Sequence, residues 1–169
     1  LFAVFGNTGQ ICMHIERIYI HDSKYDEFKT KLVAATENLK LAASYGFDAD
    51  LGGLVSPDHM ARVESHVEDA VAKGATVLAG GKARPDLGPT FFEPTILEGT
   101  TNDMICGTIE TFGPVVSLYR YSSVDEAIAL ANDTDYGLNA SIWTTNFKRA
   151  EELARRIESG NVNINDGLA

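Results

Sequence analysis

Short strand-like runs alternate with amphipathic helical stretches along the whole chain, and that alternation restricts the fold to a sheet built with helical crossovers. Ile15 to Ile20 is dense in β-branched and aromatic residues and predicts a strand. Ser23, with Asp26 three positions on, has the form of a capping box. Tyr25, Phe28, Leu32, Ala35, Thr36 and Leu39 then recur at helical spacing as a buried stripe. Ser44 to Gly53, rich in Gly and Asp, predicts a loop. Ser56-Pro57 starts a second helix, because a capping hydroxyl is followed by a proline whose missing N–H costs nothing there. Met60, Val63, Val67, Ala70 and Val71 face the core in that helix, and Gly74 is placed to end it.

Thr76 to Ala79 predicts a short strand and Gly80-Gly81 a turn. Phe91 to Ile96 predicts another strand, in which Pro94 demands an edge position or a bulge. Val115 to Tyr121 is apolar on both faces, as a central strand must be. Ser123-Val124-Asp125-Glu126 is a second capping box and opens a helix that runs to Asn132. Ala140 to Thr144 predicts a strand. Asn146 caps a helix with Phe147, Ala150, Leu153, Ala154 and Ile157 inward, ended by Gly160, and Val162 with Ile164 mark a last strand. The expectation is one α/β domain over residues 1–169, with a largely parallel sheet flanked by helices. With 44% hydrophobic residues a chain of this length can bury a core, hiding about 70% of its unfolded surface.

Charge narrows the partners. The formal net charge is −10, from 24 acidic against 14 basic side chains. Nucleic acid and anionic membrane surfaces need clustered Lys and Arg, so neither is expected. No apolar run approaches the roughly 20 residues that span a bilayer. Leu1-Phe2-Ala3-Val4-Phe5 is too short for a signal peptide and lacks its basic flank. Two widely spaced cysteines form neither a disulfide framework nor a zinc pattern, which points to a reducing, cytoplasmic setting. A start at Leu rather than Met reads as an excised or processed piece.

Cys12 is the residue with chemistry to offer. Taken alone, a thiol in a Gly-containing loop ahead of a strand is either a reactive nucleophile or a small buried hydrophobe. Cys106, between Ile105 and Gly107, reads as inert packing. Among the four histidines, His59 and His66 stand seven apart on one helix face, too far for one metal, and no metal site is expected. A papain-like arrangement fails on spacing, since Gln10 lies only two residues from Cys12.

Asn7, Gly9, Gln10 and Cys12, followed by Arg17, and the later run Glu110, Phe112, Gly113 and Pro114 together resemble two signature stretches of the aldehyde dehydrogenase superfamily. Phe92-Glu93-Pro94-Thr95, Ala131-Asn132-Asp133-Thr134, Tyr136-Gly137-Leu138 and Gly160, Val162 and Asn165 extend the resemblance over essentially the whole chain. Cys12 to Ile20 and Leu51 to Ser56 look most like its microbial succinate-semialdehyde dehydrogenase branch. The resemblance implies that the Cys12 thiolate attacks an aldehyde to give a thiohemiacetal, whose oxyanion meets the Cys12 N–H and an upstream Asn. Hydride transfer to NAD or NADP then leaves a thioester, which water activated by a glutamate base hydrolyses to the acid. It also implies that Glu110 binds the ribose hydroxyls of the cofactor and that Phe112 packs against the nicotinamide end. Arg17 is implied to be a structural ion-pair partner, and Gly113-Pro114 to shape the backbone.

Parts of that machinery are missing from these residues. There is no Glu-Leu-Gly-Gly stretch for the general base and no strand–GxGxxG–helix unit. Gly80-Gly81 leads into Lys82-Ala83-Arg84-Pro85, which cannot open a phosphate-binding helix. The chain is therefore expected to be a catalytic domain without its cofactor-binding domain, inactive alone, and part of a homo-oligomer when intact. Gly6 stands where some succinate-semialdehyde enzymes carry an Arg, and Ile109 where many relatives carry a second acid. The alternative is a non-enzymatic domain with a structural cysteine, whose exposed faces mediate assembly; separately, an open strand edge at Val162 to Ile164 is expected to pair with another copy.

Overall fold

A computed structural model describes residues 1–44, 46 and 48–167. In chain order the elements are α1 (Phe2–Phe5), β1 (Arg17–His21), α2 (Asp22–Glu37), α3 (Pro57–Ala72), β2 (Thr76–Ala79), β3 (Thr95–Glu98), α4 (Ile105–Thr108), β4 (Val115–Tyr121), α5 (Val124–Asn132), β5 (Asn139–Ile142), α6 (Phe147–Ala154) and β6 (Asn161–Ile164). Four strands form a sheet in the order β1-β4-β3-β2. β4 pairs in parallel with β1 and β3, while β2 joins β3 antiparallel, with an irregularity between Val77 and Ala79. β4 is thus the central strand that its apolar run predicts, and the expected α/β class holds. β5 and β6 depart from the expectation of one sheet, because they pair in parallel only with each other.

Side-chain alternation along the strands feeds two cores. Leu97 and Val115 pack with Val63, Val67, Ala70, Phe92 and Met104 beneath α3 and α4. Ile96, Val116 and Leu118 pack with Val4, Phe5, Ile20 and Tyr25 beneath α1 and α2. Fully burying one such side chain is worth about 1.5–3 kcal/mol, so the central strands and α3 carry most of the hydrophobic stabilisation.

Capping follows the sequence at three helices and departs from it at one. Ser56 accepts from His59 N at 3.1 Å, Ser123 from Glu126 N at 3.2 Å and Asn146 from Arg149 N at 3.0 Å. Ser56→Ala should lower the unfolding free energy by about 1 kcal/mol, read as a lower urea midpoint with an unchanged slope. Helix α2 begins earlier than its Ser23 signal, because the His21 ring nitrogen accepts from Ser23 N at 3.2 Å. Asp26 serves no cap there and instead pairs with Arg120 at 2.9 Å. The strand before Thr95 is shorter than predicted, with Phe92 reduced to a lone bridge to Ala83. Helix α6 ends at Ala154, well short of Gly160. Phe28, Val71 and Phe147, each assigned to a buried face, are exposed.

Candidate active site

The cysteine stretch folds into a turn that few residue types adopt willingly. Asn7, Thr8 and Gly9 follow one another with φ of 51°, 59° and 71°. Glycine and asparagine tolerate the left-handed region, but a β-branched residue there is strained. Surrounding bonds hold the strain in place. Asn7 Nδ2 donates to Gln10 O and Gln10 Nε2 donates to Asn7 O, both at 3.1 Å. Gln10 Oε1 accepts from Val55 N at 2.9 Å, and the buried Thr8 hydroxyl donates to Gly52 O at 3.2 Å. Cys12 stands exposed just beyond this clasp. Its N–H donates to no acceptor among the described residues. His14 closes the turn, with its N–H on Ile11 O at 2.9 Å and its ring Nδ1 on the same carbonyl at 2.8 Å.

The second stretch is pinned along its backbone. From α3, Arg62 donates to Glu110 O at 2.5 Å, His59 Nε2 donates to Phe112 O at 2.6 Å, and His66 Nδ1 meets the Thr111 hydroxyl at 3.1 Å. Glu110 N donates to the Tyr136 hydroxyl at 3.1 Å. Phe112 adopts φ 56° and is partly exposed. The Glu110 carboxylate, also partly exposed, has no hydrogen bond or ion pair among the described residues. A fixed backbone with a free carboxylate is what a hydroxyl-binding position requires.

Among the described residues three contacts join the stretches, one of them the edge-on approach of the His14 and Phe112 rings at 6.3 Å. Gly9 lies so close to Gly113 that a Cβ on Gly9 would sit 2.0 Å from Gly113 O. Glu16 makes another, accepting from Thr111 N and Phe112 N at 2.9–3.0 Å and lying 3.2 Å from His14 Nε2. His14 Nε2 and the Glu16 carboxylate make a charge-assisted contact at this distance when the ring is protonated. Burial alone would raise the Glu16 carboxyl, but His14 and the Thr111 and Phe112 N–H groups outweigh it and hold the carboxyl below its usual value. Burial likewise opposes charge on His14, yet Glu16, the Ile11 carbonyl and the charge of Glu110 hold its ring above the usual histidine value.

Each residue singled out from sequence now has a place. Cys12 and the Glu110–Phe112 segment lie on stretches that pack together. Arg17 is structural, but its partners are carbonyls: it donates to Ala131 O and Asp133 O at the end of α5, each at 3.4 Å. Cys106 is buried, and desolvation pushes its thiol up to about 11. His59 and His66, weighed only as a metal pair, both serve the Glu110 segment. Sequence reasoning missed His14, Glu16, Arg62 and Tyr136. The one available signal was a carboxylate at the mouth of a strand-like apolar run, where an unpaired charge is costly. Asn139 was missed too, and its side chain donates to Met13 O at 3.2 Å, beside Cys12.

Known proteins match this arrangement closely. The model of the Aldehyde dehydrogenase family matches residues 1–169. A Mycolicibacterium smegmatis protein provisionally named succinate-semialdehyde dehydrogenase (NADP+) is 52% identical over 167 residues, covering 99% of this chain and 32% of that protein. Succinate-semialdehyde dehydrogenase (NADP+) 2 of Schizosaccharomyces pombe is 38% identical over 95% of this chain and 33% of its own length. Among solved structures, aldehyde dehydrogenase 21 of Physcomitrella patens, in complex with the reaction product succinate, superposes with TM-score 0.94 at 37% identity, over 99% of this chain and 34% of that one. Betaine aldehyde dehydrogenase of Staphylococcus aureus, in complex with NAD+, superposes with TM-score 0.94 at 34% identity, over 99% of this chain and 34% of that one. The chain thus spans about one third of the length of these relatives.

Proposed function

Because this chain belongs to the aldehyde dehydrogenase family, we propose that it is the nucleophile-bearing domain of an NAD(P)-dependent enzyme that oxidises an aldehyde to a carboxylic acid through Cys12. One observation carries this reading: an exposed thiol stands just beyond a strained turn whose Gly9 packs against Gly113 of the Glu110–Pro114 segment. The Cys12 sulfur attacks the carbonyl carbon, a C–S bond forms, and the π electrons move onto oxygen. The Cys12 N–H, which no acceptor claims among the described residues, is available to donate to that oxyanion. The Glu110 carboxylate fits a pair of ribose hydroxyls, and Phe112 offers a ring face beside it. When bound, the dinucleotide supplies the two-electron oxidant that leaves a thioester on Cys12. Water cleaves that thioester and restores the thiol, but these residues include no glutamate motif to activate it. The chain by itself is therefore proposed to give no sustained turnover.

Succinate semialdehyde is the proposed substrate, supported by the names of the relatives and by the succinate-bound neighbour. Those names also support NADP, while NAD+ in the betaine aldehyde dehydrogenase structure keeps both dinucleotides within the proposal. Succinate semialdehyde should slow alkylation of Cys12 by iodoacetamide, because the reversible adduct masks the thiol, and butanal should protect less at equal concentration. Equal alkylation rates with and without saturating aldehyde would sink the reading.

A homo-oligomer in a cytoplasmic setting belongs to the same proposal. Among the described residues no helix is long and apolar enough to cross a membrane. Leu138, Trp143 and Phe147, at the ends of β5 and the start of α6, are 56%, 66% and 58% exposed, apolar surface that a second copy would cover. Sedimentation should show association that rises with concentration and weakens in Trp143→Glu; monomer at every concentration contradicts it.

A further inference from the structure

We propose that Glu16 is a positioning residue: its carboxylate holds the Thr111–Phe112 backbone directly and the Cys12 turn through His14, keeping the two stretches in one register. The inference rests on the reading above, in which Cys12 and Glu110 are the working groups. The ladder between β1 and β4 begins at Arg17 opposite Ser117. Ahead of that first rung, the cysteine turn and the Glu110 segment are free of strand pairing. Glu16 spans them there by hydrogen bonds, alongside the close approach of Gly9 and Gly113 and the edge contact of the His14 and Phe112 rings. Its side chain is 18% exposed and that of His14 is 1% exposed, so water screens the pair little.

His14 gives this staple a dependence on protonation. A carbonyl can only accept, so the bond to Ile11 O places a proton on Nδ1 in either charge state. The other ring nitrogen faces Glu16 at 3.2 Å. When His14 is cationic, an N–H meets the carboxylate. When it is neutral, a lone pair meets the carboxylate and the contact becomes repulsive. Charged and titratable neighbours are Glu110, which adds to the negative field at His14; His66, Arg62 and His59 on α3; and Cys106 on α4, which feels Glu16. His14, raised in the folded state, contributes stability that is complete below its unfolded value of about 6.5 and fades as pH rises through the folded one. Glu16, lowered in the folded state, contributes stability that is complete above its unfolded value of about 4.5 and fades as pH falls through the folded one. The staple is therefore tightest in the weakly acidic range between those two values.

Two measurements on the 169-residue chain test this. Residue-resolved amide exchange should show Thr111 and Phe112 exchanging about tenfold faster or more in Glu16→Ala, with Val116 and Leu118 in β4 unchanged. The rate of Cys12 alkylation against pH should carry a step at the His14 midpoint measured by imidazole NMR. That step should vanish in His14→Gln and move to lower pH in Glu16→Gln, which keeps a carbonyl acceptor for the two amides. A wild-type profile with no step at the His14 midpoint overturns the proposal, as does unchanged exchange at Thr111 and Phe112 once Glu16 is gone. Should Glu16→Ala fail to fold, the step in Glu16→Gln decides alone: a shift supports the proposal, and no shift overturns it. Neither measurement involves aldehyde or dinucleotide, so failure of the dehydrogenase reading shows separately, as aldehyde that does not protect Cys12.

Discussion

Gly9→Ala is expected to destabilise the fold by about 4 kcal/mol, the sum of an unfavourable left-handed alanine and a forced backbone shift. The new Cβ would lie 2.0 Å from Gly113 O and 2.4 Å from Gly113 C, closer than any such pair can approach. Backbone on the other side cannot swing aside as a flexible side chain would. Gly99 is the internal control, because it also has a positive φ, 78°, but nothing lies within 4 Å of the place its methyl would take. Gly99→Ala should therefore show the backbone term alone, about 1–2 kcal/mol. Denaturant unfolding of the two variants separates contact from conformation. Equal losses would mean that the cysteine turn and the second stretch are not tightly apposed.

The second large effect concerns the two thiols. Iodoacetamide at pH 8 should modify Cys12 at least about a hundredfold faster than Cys106. Cys106 is 7% exposed, and burial is the main force pushing its thiol up to about 11, against a smaller opposite pull from Ser117. Three pH units below that value, about one molecule in a thousand carries the thiolate. Cys12 is exposed, so the reagent reaches its sulfur directly. Peptide mapping after a short pulse reads the ratio directly, and Cys12→Ser should remove nearly all label from the native protein. Comparable labelling of the two thiols would contradict the buried, un-ionised state of Cys106 and remove the contrast on which a distinct nucleophile depends.

Much of this architecture is legible in the sequence, and for local reasons. Ser56-Pro57, Ser123 and Asn146 mark helix starts because a capping side chain acts within three residues of itself. Val115 to Tyr121 announces a central strand because burial on both faces leaves no polar alternation. Cys12 and Glu110 stand out through the residues beside them. What escapes notice depends on partners distant in sequence. His21 caps α2 in place of Ser23, and Asp26 answers to Arg120 across the fold. Phe147 sits on the apolar stripe of α6, yet it is 58% exposed at the helix start while Ala150 on the same stripe is fully buried. Nothing in the spacing of Glu16 reveals that its carboxylate ends on the amides of Thr111 and Phe112. The separate β5–β6 pair is equally hidden, since periodicity assigns strands but not their neighbours.

The parallel pairing of β1 with β4 decides which changes of length the molecule can absorb. Both stretches lead into the sheet from the same end, with Arg17 opposite Ser117. One extra residue within the first rungs of β4 would slide every later pair by a step and turn inward side chains outward. Lengthening a surface connection between the strands costs little by comparison, about 0.6 kcal/mol for each doubling of a flexible loop. The molecule is thus tolerant of growth in the tethers between the two stretches and intolerant of a single added rung.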